Sequence, residues 1–212
     1  MTRLAALAVA LLAAYLVGSI PSGLWIGRLV KGVDVRQVGS RRTGATNVQR
    51  SLGTPLGVTV LVADLMKGFL AVNLVHLATG SDYLAVLGGV AAMVGHIWPV
   101  LADFRGGRGV ATGGGALLAF SPPALLLTFA LMAGVTALTR YVSLGSMVAG
   151  LGTALITVAL RGHVPQSDAA ILMAFAAGSL VLLRHADNLE RLRHGREAKL
   201  GHKVATAESG PA

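Results

Sequence analysis

The sequence predicts an all-α polytopic membrane protein of about seven transmembrane helices. Three observations carry that reading. The 212 residues are 54% hydrophobic and only 13% charged, whereas a soluble domain carries about 25% charged residues. The apolar residues fall into runs suited to a bilayer core, which takes roughly 20 residues per helix. Fifteen of the 18 Lys and Arg residues lie in every second connection, the alternation that the positive-inside rule associates with cytoplasmic loops.

The runs read as spans at 4–27, 54–78, 83–101, 109–120, 122–138, 142–160 and 168–184. Residues 1–20 also resemble a signal peptide, with Arg3 ahead of an apolar stretch. That stretch continues past Gly18 and Ser19 to Trp25, which favours an uncleaved first helix. The fourth run is too short to cross as a straight helix. It either starts below the membrane surface or forms a broken pair with the fifth around Pro122 and Pro123. The tally is seven, or six with a re-entrant piece.

Charge sets the orientation. Segment 28–50 holds Arg28, Lys31, Arg36, Arg41, Arg42 and Arg50, and segment 102–108 holds Arg105 and Arg108. Arg140 marks the turn at 139–141, and the tail adds Arg184, Arg191, Arg193, Arg196, Lys199 and Lys203. The alternate connections hold only Arg161. The N-terminus is therefore expected outside and the C-terminus in the cytoplasm, an arrangement that needs an odd number of crossings and favours seven. Residues 1–203 read as one membrane-embedded domain. The tail at 204–212, made largely of Ala, Gly, Ser and Pro, reads as disordered.

The formal charge of +9 is largely the ordinary consequence of this topology, but four polar constellations need more. In "VGSRRTGATNVQR", residues 38–50, Gly39, Ser40, Gly44, Thr46 and Asn47 are turn and cap formers. Arg50 lies about one helical turn past Asn47. Free N–H groups at a helix start beside an arginine can hold an anion; a flexible connector fits the stretch too. In "HIWPVLADFRGGRGVATGGG", residues 96–115, Arg105 and Arg108 sit among Gly106, Gly107 and Gly109, followed by Thr112 and Gly113 to Gly115. Close helix packing explains the later glycines as well as ligand binding does, but arginines are poor neighbours for lipid. A lone His96 before them reads first as a structural hydrogen-bond partner.

The third constellation is "LLRHADNLERLRHGREAKLG", residues 182–201, where span gives way to polar helix. Asp187 or Asn188 suits an N-cap and Gly195 a helix end. His185 and Asn188, three apart, can share a face. A juxtamembrane tail on anionic lipid also fits this segment. The fourth is "DLMKG", residues 64–68 inside the second span. Its Asp64 and Lys67 can pair at i and i+3, and ionisable groups at that depth are either functional or a buried structural pair. Three of the four lie on the cytoplasmic side by the charge argument. Together they suggest a site for two anionic groups at the membrane surface.

Several chemistries are excluded. The chain has no cysteine, so it has no thiol nucleophile, thiolate ligand or disulfide. The nine acidic residues form neither an H-E-x-x-H nor a paired-carboxylate motif. There is no G-x-S-x-G elbow and no Walker A loop. The glycerolipid acyltransferase pattern H-x-x-x-x-D is missing as well: Leu101 lies five residues after His96, and Glu190 five after His185.

Over nearly its whole length, from "GSIPSG" at 18–23 to "GREAKLG" at 195–201, the chain resembles the PlsY family of bacterial acyl-phosphate:glycerol-3-phosphate acyltransferases. Residues 39–50 resemble that family's "GSGNxGATNxxR", residues 95–112 its "GHxxPxxxxFKGGKGVAT", and residues 185–197 its "HxxNxxRLxxGxE". "DxxKG" at 64–68 fits also. Arg41 and Arg42 stand where the family pattern has Gly-Asn, and Arg105 and Arg108 where it has lysine. Arginine keeps the charge but presents a planar fork in place of a point donor.

The resemblance implies transfer of a fatty acyl chain from acyl phosphate to the 1-hydroxyl of sn-glycerol 3-phosphate, giving lysophosphatidic acid and phosphate, the first step of phospholipid synthesis. It implies a multi-pass protein of the bacterial inner membrane, with seven spans and its active site facing the cytoplasm. By motif position, Ser40, Arg50 and Arg108 would hold glycerol phosphate or the transferring group, and His185 and Asn188 would orient the attacking hydroxyl, with His185 either a general base or a positioning group. Thr46, Asn47, Arg105, Gly106, Gly107, Gly109 and Thr112 would shape and line the substrate site. No metal, nucleotide cofactor, nucleic acid or obligatory protein partner is implied; the partners are the two substrates and membrane lipid. A polytopic anion or phospholipid transporter, or a non-catalytic paralogue, remains as the alternative. A transporter would place polar groups near the bilayer middle with access from both sides.

Overall fold

The computed structural model describes residues 3–201. Lys203 and the tail at 204–212, expected to be disordered, lie outside the described residues. The described chain is α-helical, running through α1 (Arg3–Ser19), α2 (Ser22–Lys31), α3 (Ala45–Leu52), α4 (Thr54–Thr79) and α5 (Asp82–Ile97). A 3₁₀ turn (Val100–Ala102) then leads to α6 (Val110–Phe120), α7 (Pro122–Thr139), α8 (Val142–Ala159), α9 (Ala169–Leu183) and α10 (Ala186–Arg193).

Five segments among the described residues are long and apolar enough to cross a membrane: Arg3–Lys31, Thr54–Thr79, Asp82–Ala102, Pro122–Thr139 and Val142–Ala159. A sixth arises if α9 and α10, bent by 52°, are taken together. With 11 residues, α6 reaches about 16 Å and cannot bridge a core about 30 Å thick. It is a helix of its own: Ser121 closes it and caps α7, its hydroxyl accepting from the Ala124 N–H at 3.4 Å.

The first span is broken where the sequence reading had one helix. Pro21 has no N–H to donate and interrupts the ladder. At the break the Ile20 carbonyl accepts from the Ser22 N–H at 3.0 Å and from Lys67 Nζ, on α4, at 2.9 Å. Lys67 also pairs with Asp64 at 2.8 Å, as the i, i+3 spacing predicts. A break in one helix thus supplies a partner for a cation at membrane depth in the next.

Packing of α1 on α4 and α5, and of α4 on α6, rests on small residues. Ala10, Ala14, Ala71 and Ala92 form one buried cluster. A Cβ on Gly18 would collide with the Ala92 backbone, and one on Gly95 with the Tyr15 carbonyl, so α1 and α5 approach to backbone contact. Lipid offers little hydrophobic drive for helix association, and such contact supplies dispersion in its place. The opposite surface is apolar and open: Leu126, Leu127 and Phe129 on α7 are exposed, as suits a helix facing lipid. The fold brings the loop at 32–44, α3, the loop at 103–109 and α10 to one end of the bundle, around the start of α6 and the turn between α7 and α8.

Candidate active site

The site is assembled from three loops that helix ends hold in place. The first is organised by Asn47, buried in the opening turn of α3. Its Nδ2 donates to the carbonyls of Val35 at 2.8 Å, Val38 at 3.2 Å and Arg42 at 2.9 Å. Its Oδ1 accepts from the Ser40 N–H at 2.9 Å. Asn47 therefore shapes the loop that presents Ser40 and Arg42. The helix begins at Ala45, with Gly44 as its cap. Gly44, Ala45 and Thr46 line the cavity, so first-turn amides that lack an intrahelical acceptor are available to an anion.

The second loop is the arginine and glycine stretch. His96, buried at the end of α5, is its anvil: the Gly107 N–H donates to the His96 carbonyl at 3.1 Å. A Cβ on Gly106 would strike that same carbonyl, and a Cβ on Gly107 would strike the His96 ring. Gly109 has φ +82° and caps α6, a conformation that side chains rarely adopt. These contacts fix where Arg108 emerges. Its guanidinium meets Asp187 at 3.0 Å.

The third loop is α10 with the chain that follows. Burial pushes the His185 ring, just past the end of α9, down from 6.5 to about 4. Its Nδ1 lies 2.7 Å from the Val181 carbonyl. A carbonyl only accepts, so Nδ1 carries the proton of the neutral ring and Nε2 is left as an acceptor. Asn188 Nδ2 donates to Glu197 at 2.7 Å, and Glu197 also takes Arg191 at 2.7 Å. The sequence offered Asp187 or Asn188 as the N-cap of this helix. The structure gives that place to His185, with no side-chain cap bond, and Asp187 instead gathers Arg108, Arg191 at 3.3 Å and Arg42 at 3.6 Å. Burial would raise Asp187, but these three cations hold it below the usual carboxylate range. The segment after Gly195 folds back over α3, and Arg50 donates to the Ala198 carbonyl at 3.0 Å.

Together the loops enclose the mouth of one cavity of about 250 Å³. Its mouth is cationic, with Arg42, Arg50 and Arg108; its deeper part is apolar, between α6, α7, α8 and α9, with Leu117, Leu125, Phe129, Met132 and Val181. Burial pushes both Arg50 and Arg108 down from their ordinary value. The Nε atoms of Arg50 and Arg108 and the Oδ1 of Asn188 are buried without a hydrogen-bond partner among the described residues. Buried polar atoms are nearly always paired, and these three residues line the same cavity. No group of three or more His, Cys, Asp or Glu among the described residues is placed to hold a metal.

Residues 8–195 match the family model for glycerol-3-phosphate acyltransferase. The chain belongs to this family. A glycerol-3-phosphate acyltransferase of Parasynechococcus marenigrum is 45% identical over 190 residues, covering 90% of this chain and 88% of the relative. The crystal structure of the integral membrane glycerol 3-phosphate acyltransferase PlsY in its glycerol 3-phosphate form superposes with TM-score 0.83 at 39% identity, covering 92% of this chain and 96% of that one. Its lysophosphatidic acid form gives TM-score 0.82 at 38% identity with the same coverage. The chain is thus an integral membrane protein of several apolar helices.

Within this acyltransferase, Ser40, Thr46, Asn47, Arg50, Gly107, Arg108, Gly109, His185 and Asn188 all line the one cavity. Three residues named from the sequence stand elsewhere. Arg105 lines a separate pocket with Asp34, Arg36, Gln37 and Arg41. Gly106 is packed under Pro99 and the His96 carbonyl. Thr112 is fully buried, its carbonyl backed against Gly68. Sequence reasoning missed the cavity positions of Arg42, Asp64, His96, Ser143 and Glu197. Arg42, Asp64, His96 and Glu197 stood inside the quoted motifs, so a signal existed for them; nothing in the sequence marks Ser143, at the start of α8.

Proposed function

We propose that this chain transfers a fatty acyl group from acyl phosphate to the 1-hydroxyl of sn-glycerol 3-phosphate, releasing lysophosphatidic acid and inorganic phosphate. Glycerol-3-phosphate acyltransferase activity comes with the family. The donor, the residue roles and the orientation are our reading. One observation carries it: a cationic mouth with orphaned polar atoms opens into an apolar arm, which suits two phosphate groups and one fatty tail in a single cavity.

An acyl phosphate is a mixed anhydride with a good leaving group, so no enzyme nucleophile is needed. The hydroxyl oxygen attacks the carbonyl carbon, the bond from that carbon to the phosphate oxygen breaks, and the phosphate departs. Arg50 and Arg108, with Ser40 and the amides of Thr46 and Gly109, hold the phosphates and counter their mutual repulsion. His185 Nε2 and Asn188 Oδ1, both acceptors, hold the two hydroxyls of the acceptor substrate and so aim the attacking oxygen. With His185 near 4 the imidazole is a weak base, so the proton passes to the departing phosphate. Gly106 and Thr112 shape the loop from behind. The basic loops face the cytoplasm of the bacterial inner membrane with the N-terminus outside, α6 serving as the short fourth of seven crossings by starting below the membrane surface.

The test uses purified protein in lipid with palmitoyl phosphate and glycerol 3-phosphate, monitored for lysophosphatidate and phosphate in equal amounts. Palmitoyl-CoA runs in parallel. Turnover only with acyl-CoA refutes the donor; no turnover with either leaves a transporter or an inactive paralogue.

A further inference from the structure

The two catalytic loops have a second face. On one side Ser40, Arg42, Gly107 and Arg108 line the acyltransferase cavity. On the other, their neighbours Arg41 and Arg105 line a pocket of about 330 Å³ with Asp34, Arg36 and Gln37. Arg36 is held rigidly there, donating to Asp34 at 3.0 Å, Asp103 at 3.1 Å and the Ala102 carbonyl at 3.1 Å. Asp34 is further engaged by Arg28 at 2.7 Å, so the carboxylates of this wall are already satisfied. Arg41 and Arg105 are both exposed, and neither makes an ion pair with a carboxylate among the described residues. Arg41 also sits at φ +57°, a strained conformation for a side-chain residue of the kind that clusters at ligand sites. It stands where the resembled motif has glycine.

The pocket lies where two candidate spans end, at Lys31 and Ala102. Close in sequence to its walls, Leu29, Val30, Leu101 and Phe104 are exposed apolar side chains, as suits a surface at the edge of lipid. Arginines at a span end next to apolar side chains match a phosphate ester carried on acyl chains. We propose that Arg41 and Arg105, steadied by Arg36, form a second site that binds the headgroup of an anionic bilayer phospholipid. Such a headgroup would bridge the loop at 32–44 to the loop at 103–109 from behind the catalytic cavity.

The experiment is native mass spectrometry of the detergent-purified full chain with equimolar phosphatidylglycerol and phosphatidylcholine. The wild type is expected to retain phosphatidylglycerol preferentially. Arg41→Gly, which suits the positive φ and should leave the melting temperature intact, is expected to lower bound phosphatidylglycerol about fivefold without changing phosphatidylcholine. Arg161→Gln, at the other end of the bundle, controls for net charge and is expected to change neither. Three results overturn the proposal. One is equal retention of the two lipids by the wild type. Another is unchanged phosphatidylglycerol in Arg41→Gly. The third is displacement of the lipid by an equal concentration of inorganic phosphate, which would make free phosphate the occupant.

Discussion

Replacing Gly107 by alanine is the sharpest perturbation of the loop at 103–109. A Cβ there would strike His96 Nε2 and would lie only 3.0 Å from its Cε1 and 3.1 Å from its Cδ2. His96 cannot swing away, because its side chain is buried against Asp64 at 3.7 Å. The loop must therefore yield by on the order of 1 Å, since carbon atoms rest about 3.5–4.0 Å apart. Arg108 is the next residue and moves with it. A misplacement of about 1 Å in a positioning group costs about a hundredfold in rate, equivalent to about 2.7 kcal/mol of transition-state stabilisation. Steady-state kinetics in lipid should show kcat/KM for glycerol 3-phosphate falling by about that factor, with the melting temperature little changed. Gly134→Ala is the control, because a Cβ there meets nothing within 4 Å. If Gly107→Ala kept activity within twofold of wild type, the loop would not be what positions Arg108, and the reasoning would be refuted.

Lys67→Met should cost about 3–5 kcal/mol, because it strands the buried Asp64 carboxylate; denaturation in detergent should show Asp64→Asn with Lys67→Met recovering at least half, and an equal loss in the double variant would exclude a stranded charge. His185→Gln should lower kcat by less than a hundredfold, since a general base is worth about 10²–10⁴; a loss beyond a thousandfold would make His185 the base after all. Stability should fall as pH drops from 6.5 towards 4 and below. The unfolded His185 takes its proton near 6.5 while the folded ring resists to about 4. Asp34 and Asp187 are held below the 3.8 of a free aspartate, so their contribution is present above that value and lost below it. A melting temperature flat from pH 7 to 3 would contradict these assignments.

Sequence reading reached furthest where period and charge are local. The Asp64–Lys67 pair follows from a spacing of three on one helix, and His185 and Asn188 line one cavity for the same reason. Glycine density at 106–109 marked the loop, though not that His96 is the surface it rests on; that depends on how α5 ends beside α6. The helix break at Pro21 was visible as a proline. Its consequence, an Ile20 carbonyl that accepts from Lys67, joins residues 47 apart and leaves no local trace. Arg105 shows the reverse failure: it stands three residues from Arg108 in the chain, yet the αL turn at Asp103 and Phe104 sends it to the other side of the loop. A motif gives residue types, and backbone turns decide which side each one serves.

The proposed function rests on half-buried guanidiniums at the mouth of one cavity binding the phosphate of the acceptor. Titration calorimetry of glycerol 3-phosphate with wild type, Arg50→Gln and Arg108→Gln tests it without turnover. Loss of a charge-assisted contact worth about 1.5–3 kcal/mol should weaken affinity by about 10- to 100-fold in each variant, with Arg105→Gln close to wild type. Unchanged binding in both cavity variants would contradict the account.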